Sequence, residues 1–204
     1  MNQRNEEWYD DRAGKATASE FCSIMPGKKG AYLKAREDYM AELVTERLTG
    51  APLASFGSKA TDYGTDTEGF ARNAYEMDRG ILCVVPKFMD HQTVQWCGAS
   101  PDGLIGDDGG IEIKCPANSS IHLKTVLADA MPEEHIPQVQ GQMWVTGRQW
   151  VDFISFDPRM PPKLQLFIKR IPRDEEYIAK LAAEVTKFLS EVDAMTKQLM
   201  EKAA

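Results

Sequence analysis

Two short stretches hold residue types from which a reaction can be built. They are Ser100-Pro101-Asp102-Gly103-Leu104 and, after a glycine-rich acidic turn, Gly110-Ile111-Glu112-Ile113-Lys114-Cys115-Pro116. Glu112 and Lys114 are two apart, so on a strand they share one face while Ile111 and Ile113 take the other. A carboxylate and an ammonium flanked by core isoleucines form an expensive arrangement unless something uses it. Residues 103–110 can close a hairpin, which would set Asp102 alongside Glu112. Two converging carboxylates are hard oxygen ligands suited to Mg²⁺ or Mn²⁺. Such an ion can polarise a phosphodiester oxygen and acidify a bound water. Lys114 can steady the attacking water or the charge that builds on phosphate. Together these are a kit for phosphodiester hydrolysis without a covalent intermediate. A Glu and a Lys two apart on a strand are more often a solvated edge, so the rest of the chain has to decide.

The elements that must carry these residues follow from periodicity and punctuation. Thr17-Ala18-Ser19-Glu20 fits a capping box opening a short helix to residue 24, and Pro26-Gly27-Lys28-Lys29-Gly30 reads as a mobile basic loop. Residues 32–49 and 62–77 read as helices, the first stopped by Gly50. The period then changes, and residues 81–85, 94–99 and 110–115 are expected as strands. Residues 119–127 are expected as a helix. Pro137 suits the first turn of another, which runs to residue 145 and stops at Gly147. Strands at 150–156 and 164–171 precede a long helix over 174–202, capped by Asp174. Ile178, Leu181, Val185, Phe188, Val192, Met195 and Leu199 are spaced 3,4,3,4,3,4 along it, which fits packing on its own domain or a seam against another subunit. The order predicts a mixed central β-sheet flanked by helices in one α/β domain over residues 1–204.

Composition bounds the function. The chain has 204 residues with 24 Lys+Arg, 31 Asp+Glu and a net charge of −7. An acidic total argues against indiscriminate coating of nucleic acid but leaves room for a local basic groove. The excess sits in residues 61–110, with three basic and nine acidic side chains, where the chemistry also sits. No apolar run is long enough for a membrane span, and the polar N-terminus carries no secretion signal. Cys22, Cys83, Cys97 and Cys115 are scattered without a CxxC pair, so reduced thiols in a cytoplasm are expected. His91, His122 and His135 are too dispersed for zinc.

With those residues in view, the chain resembles the lambda exonuclease/YqaJ group of PD-(D/E)XK nucleases over about residues 8–177. The likeness rests on the Arg12–Glu20 block, Gly64-Thr65-Asp66-Thr67-Glu68, Ser-Pro-Asp-Gly with Glu-Ile-Lys-Cys-Pro, Gln138 to Thr146, and Phe156-Asp157-Pro158-Arg159-Met160. The resemblance implies the restriction-endonuclease-like fold and a Mg²⁺-dependent exonuclease, with Mn²⁺ able to substitute and two ions at the site. It would act 5′→3′ on linear duplex DNA with 5′-phosphorylated ends and leave 3′ tails for recombination by strand annealing. Residue by residue, it implies Asp102, Glu112 and the Ile113 carbonyl as metal ligands, Lys114 as the catalytic lysine, and Glu68 and Gln138 as further active-site groups. Arg12, Ser19 and Ser100 would form a 5′-phosphate pocket, and Arg12 can grip a phosphate bidentately. The group's apolar strand-parting wedge aligns with Thr61, so Tyr63 nearby is the substitute candidate. Where the group has an arginine in a DNA-binding loop, this chain offers Lys28 and Lys29, which hold phosphate without a planar fork. A ring-shaped homotrimer around DNA and a single-strand annealing partner are further implications. A ring would explain how a chain of net charge −7 stays on DNA.

Other readings stay open at this point. One is an endonuclease or repair enzyme of the same superfamily, including a branch with an iron–sulfur cluster. Another is a catalytically inactive DNA-end-binding clamp, against which the intact Asp102, Glu112 and Lys114 speak.

Overall fold

The computed structural model describes residues 6–53 and 59–203. The described helices are α1 (Glu6–Arg12), α2 (Phe21–Ile24), α3 (Lys34–Thr49), α4 (Lys59–Arg79), α5 (Ser119–Ala128), α6 (Ile136–Thr146) and α7 (Glu175–Ala203). The strands are β1 (Ala16–Thr17), β2 (Met89–Asp90), β3 (Cys97–Ala99), β4 (Gly103–Ile105), β5 (Gly109–Lys114), β6 (Trp150–Phe156) and β7 (Leu166–Pro172). The larger sheet runs β4-β5-β6-β7. Its β4–β5 hairpin and its β6–β7 pair are antiparallel, while β5 and β6 are parallel and joined through α5 and α6. A smaller sheet, β1-β3-β2, holds the N-terminal segment. This is the expected mixed α/β architecture, with the strands divided between two sheets.

The alternation of β5 decides what faces what. Ile111 and Ile113, with Ile154 of β6, pack against Ala71 and Tyr75 of α4. On the opposite face Val151 meets Val139 and Met143 of α6 and Ile178 of α7, and Glu112 and Lys114 point to that side. The largest cluster joins Phe21 and Ile24 of α2, Tyr39 and Leu43 of α3, and Leu181, Val185 and Phe188 of α7. Each fully buried apolar side chain of this size contributes roughly 1.5–3 kcal/mol. That burial settles α7 on its own body as far as Val192, whereas Met195 and Leu199 beyond it are exposed. Asp174 caps α7 as expected, its Oδ1 accepting from the Tyr177 N–H at 2.9 Å.

Three expectations are corrected. Residues 81–85 form no strand and touch the sheet only through a Val84–Leu104 bridge, because the run lies past the sheet edge with Leu82 and Val84 exposed. The 94–99 strand shortens to Cys97–Ala99. Thr17 ends β1 and caps nothing, because its hydroxyl is engaged by Arg12 and Ser19 instead. Within α6, a Cβ at Gly141 would lie 2.4 Å from the Phe21 ring, so only glycine permits this approach to α2. No helix among the described residues is long and apolar enough to cross a membrane.

Candidate active site

The hairpin brings Asp102 to Glu112. Gly103 pairs with Ile111, and β4 stops there, so β5 runs on with its outer edge unladdered. The Asp102 carboxylate takes that edge, accepting the Ile113 N–H at 2.6 Å. The N–H and C=O of one strand residue point to the same neighbour, so the Ile113 carbonyl faces the Asp102 side as well. Burial, then the carboxylates of Glu112 and Glu68, push Asp102 well above the ordinary carboxylate range, while the Ile113 N–H and Lys114 oppose the shift. Concentrated, desolvated negative charge of this kind favours a cation.

Glu112 is 2% exposed and is held from two directions. Lys114 Nζ lies 2.8 Å from its Oε1, and Gln142 Nε2 donates to its Oε2 at 2.5 Å. Lys114 also donates to Gln138 Oε1 at 2.9 Å. Glu68 of α4 is paired with Arg72 at 2.5 Å, and Arg72 Nε donates to the Asp102 carbonyl at 3.1 Å. Among the described residues, no three His, Cys, Asp or Glu side chains gather as a metal site. Two carboxylates and a backbone carbonyl suit Mg²⁺ or Mn²⁺, which keep waters and need few protein ligands. They do not suit structural zinc, which takes a closed set of Cys and His. The donor set therefore fits the expected ion through Asp102, Glu112 and Ile113, with Glu68 also lining the cleft.

Arg12, Ser19 and Ser100 also converge. The Arg12 guanidinium donates to Ser100 Oγ at 3.2 Å, to Ser19 Oγ at 2.9 Å and to Thr17 Oγ1 at 3.0 Å. It lies over the Trp8 ring, 4.1 Å from the centroid. The α1 terminus supplies the arginine, β1 and the turn after it Thr17 and Ser19, and the segment after β3 Ser100. Gly14 fixes this entry: it has φ +70 and donates its N–H to Glu46 at 2.7 Å. Arg12, Ser19 and Ser100 and the Asp102–Glu112–Lys114 group line a single cleft of about 530 Å³.

Other expected residues lie elsewhere. Lys28 pairs with Glu133 at 3.1 Å near the cleft rim, and Lys29 is exposed on the same loop. Tyr63 lies outside the cleft lining, its ring beneath Arg159 with the guanidinium 4.8 Å from the centroid. Thr61 falls in the first turn of α4, and its side chain is outside the described part. The four cysteines are all unbridged and do not gather. Burial, with Glu68 and Asp102 adding to it, pushes the Cys115 thiol up to about 12.

Three residues in or beside the cleft escaped the sequence reading. Thr17 completes the hydroxyl cluster. His135 lines the cleft, stacks on Phe153 with centroids 5.4 Å apart, and is pushed below the ordinary imidazole value by burial and Lys114. Gln142 reaches Glu112, and its one available signal was its position one helical turn after Gln138.

The YqaJ-like viral recombinase domain matches residues 7–149. The chain belongs to the YqaJ-like viral recombinase family. Among solved structures it is similar to an alkaline exonuclease, LHK-Exo, from Laribacter hongkongensis. Identity is 43%, the match covers 98% of each chain, and the TM-score is 0.90. The same protein in complex with dAMP matches equally well. A phage-related exonuclease from Haemophilus somnus 129PT matches at 17% identity over 93% of this chain and 96% of that one, with a TM-score of 0.65, a likeness of fold alone. No curated protein matches significantly. The family and the nuclease fold expected from the motifs are thus borne out.

Proposed function

We propose that the protein is a divalent-metal-dependent exonuclease that degrades one strand of linear duplex DNA 5′→3′ from 5′-phosphorylated ends. One observation carries this reading: an arginine–hydroxyl cluster and a carboxylate–lysine group share the walls of one cleft. Family membership and the 43%-identical alkaline exonuclease support the nuclease assignment. That relative's complex is with dAMP, a nucleotide whose phosphate suits such a cluster.

The residues divide the work. Arg12 holds the terminal 5′-phosphate through charge-assisted hydrogen bonds, with Ser19, Ser100 and Thr17 fixing the plane of its guanidinium. The phosphodiester one nucleotide further in then reaches Glu112 and Lys114. Asp102, Glu112 and the Ile113 carbonyl would hold Mg²⁺ or Mn²⁺, two ions when loaded, which supply Lewis acidity toward the phosphoryl oxygens. Lys114, oriented by Gln138, positions the water and stabilises the charge developing on phosphate. Water adds its oxygen to phosphorus, the P–O3′ bond breaks, and the departing 3′-oxygen gains a proton. A nucleoside 5′-monophosphate leaves, and the shortened strand carries a fresh 5′-phosphate. The product end is therefore the ligand of the Arg12 pocket, which gives the reaction its direction.

The 3′ tails left behind are substrates for a single-strand annealing recombinase, in keeping with the family's name. A homotrimeric ring would let a chain of net charge −7 remain on DNA, and sedimentation at working concentration tests it. The enzymatic test uses end-labelled duplexes. A 5′-phosphorylated linear duplex should be degraded to mononucleotides in Mg²⁺, a 5′-hydroxyl duplex slowly, and a closed circle not at all, with activity lost to EDTA. Cleavage of the closed circle would overturn the exonuclease reading.

A further inference from the structure

The face of α6 toward β5 presents two glutamines one turn apart. Gln138 Oε1 accepts from the ammonium of Lys114, and Gln142 Nε2–H donates to the carboxylate of Glu112. The spacing is commensurate. Four residues of helix rise about 6 Å, and two residues of strand rise about 6.6 Å. The helix thus holds both members of the Glu–Lys pair at once, each through the end of the amide that complements its charge.

Gln142 bears a cost for this. It is 2% exposed, and its Oε1 is buried with no hydrogen-bond partner among the described residues. An unsatisfied buried acceptor costs about 1–3 kcal/mol. An apolar side chain of the same volume would avoid that cost and would pack against the same core as Val139 and Met143. What it could not supply is a neutral donor to Glu112 Oε2. Lys114 already occupies Oε1 at 2.8 Å, so Gln142 is the contact that fixes the rotation of the carboxylate about its last bond. We infer that Gln142 is a positioning residue: its amide N–H orients Glu112 for a divalent cation held with Asp102. This inference rests on the proposed metal-dependent function and adds to it the group that sets the ligand's geometry.

The test measures Mn²⁺ binding directly, by loss of the free-ion electron paramagnetic resonance signal, for the full chain and for Gln142→Met. Methionine matches glutamine in length and volume and donates nothing. Groups that orient a metal ligand typically change affinity by about 10- to 100-fold when removed, and that weakening is expected here with thermal stability near the parent's. Gln140→Met is the control. Gln140 is an equally buried glutamine of α6, but it bonds the Pro172 carbonyl and the Asp174 N–H. Its loss should lower the melting temperature and leave Mn²⁺ affinity unchanged. Should Gln142→Met fail to fold, Gln142→Asn, whose amide falls one methylene short, decides by the same measurement. Parent-like Mn²⁺ affinity in a folded Gln142 variant would overturn the inference and leave the nuclease reading intact. A parent chain that neither binds Mn²⁺ nor cleaves DNA would overturn both.

Discussion

Replacing Arg12 by lysine keeps the charge at the proposed phosphate pocket and removes its shape. The guanidinium reaches three hydroxyls at 2.9–3.2 Å while lying over Trp8. An ammonium on a shorter stem cannot hold that orientation and also present two parallel donors to a phosphate. The change therefore removes about one charge-assisted hydrogen bond, worth about 1.5–3 kcal/mol. At about 1.4 kcal/mol per tenfold, this is a loss of roughly 10- to 150-fold in the preference for phosphorylated ends. The assay compares kcat/KM on otherwise identical duplexes bearing a 5′-phosphate or a 5′-hydroxyl, for parent and Arg12→Lys. The preference should collapse while the rate on the hydroxyl substrate changes little, because Lys114 and its carboxylates are untouched. An Arg12→Lys protein with the parent's end preference would refute the assignment of the pocket.

Lys114→Ala should lower kcat by roughly 10²–10³-fold in single-turnover digestion, with the circular dichroism spectrum preserved, since Lys114 is one-third exposed. Asp102→Asn should abolish hydrolysis yet raise the metal-free melting temperature, because it removes a buried charge held against Glu112 and Glu68; Mn²⁺ should stabilise the parent and not this variant in a thermal-shift titration. Asp157 is held down to about 2 by its hydrogen bonds with Arg159. Its folded value lies below the ordinary one, so its stabilisation is complete above about pH 4 and is lost as the pH falls toward about 2. The melting-temperature difference between the parent and Asp157→Asn should therefore be largest near neutrality and vanish in acid; a difference independent of pH would show that the ion pair is not its source.

The two faces of β5 were legible because a period of two is local: Ile111 and Ile113 against Glu112 and Lys114 needs no knowledge of the partners. The Asp102–Glu112 approach was legible because the hairpin connecting them is short. Gln142 was not, since a glutamine in an apolar helix becomes informative only once the register of α6 on β5 is known. The run 81–85 misled because β-branched and apolar content marks a strand only where an edge is available, and there it meets β4 at Val84 alone. Thr17 misled for a related reason: a threonine three residues before a glutamate has the form of a helix cap, but Arg12 competes for the same hydroxyl. Arg12 itself carries no local signal. Its role needs Ser100, 88 positions away, and only the family resemblance linked the two.

The contact between Gly141 and Phe21 acts as a spacer block. It seats the Phe21 ring and the turn around Ser19 closely on the helix bearing Gln138 and Gln142. In the proposed function, the Arg12 end and the Asp102–Glu112–Lys114 end of the cleft would thereby be gauged to one another by a hard steric stop. On that proposal the stride along a strand would be a property of backbone packing, insensitive to the base being removed.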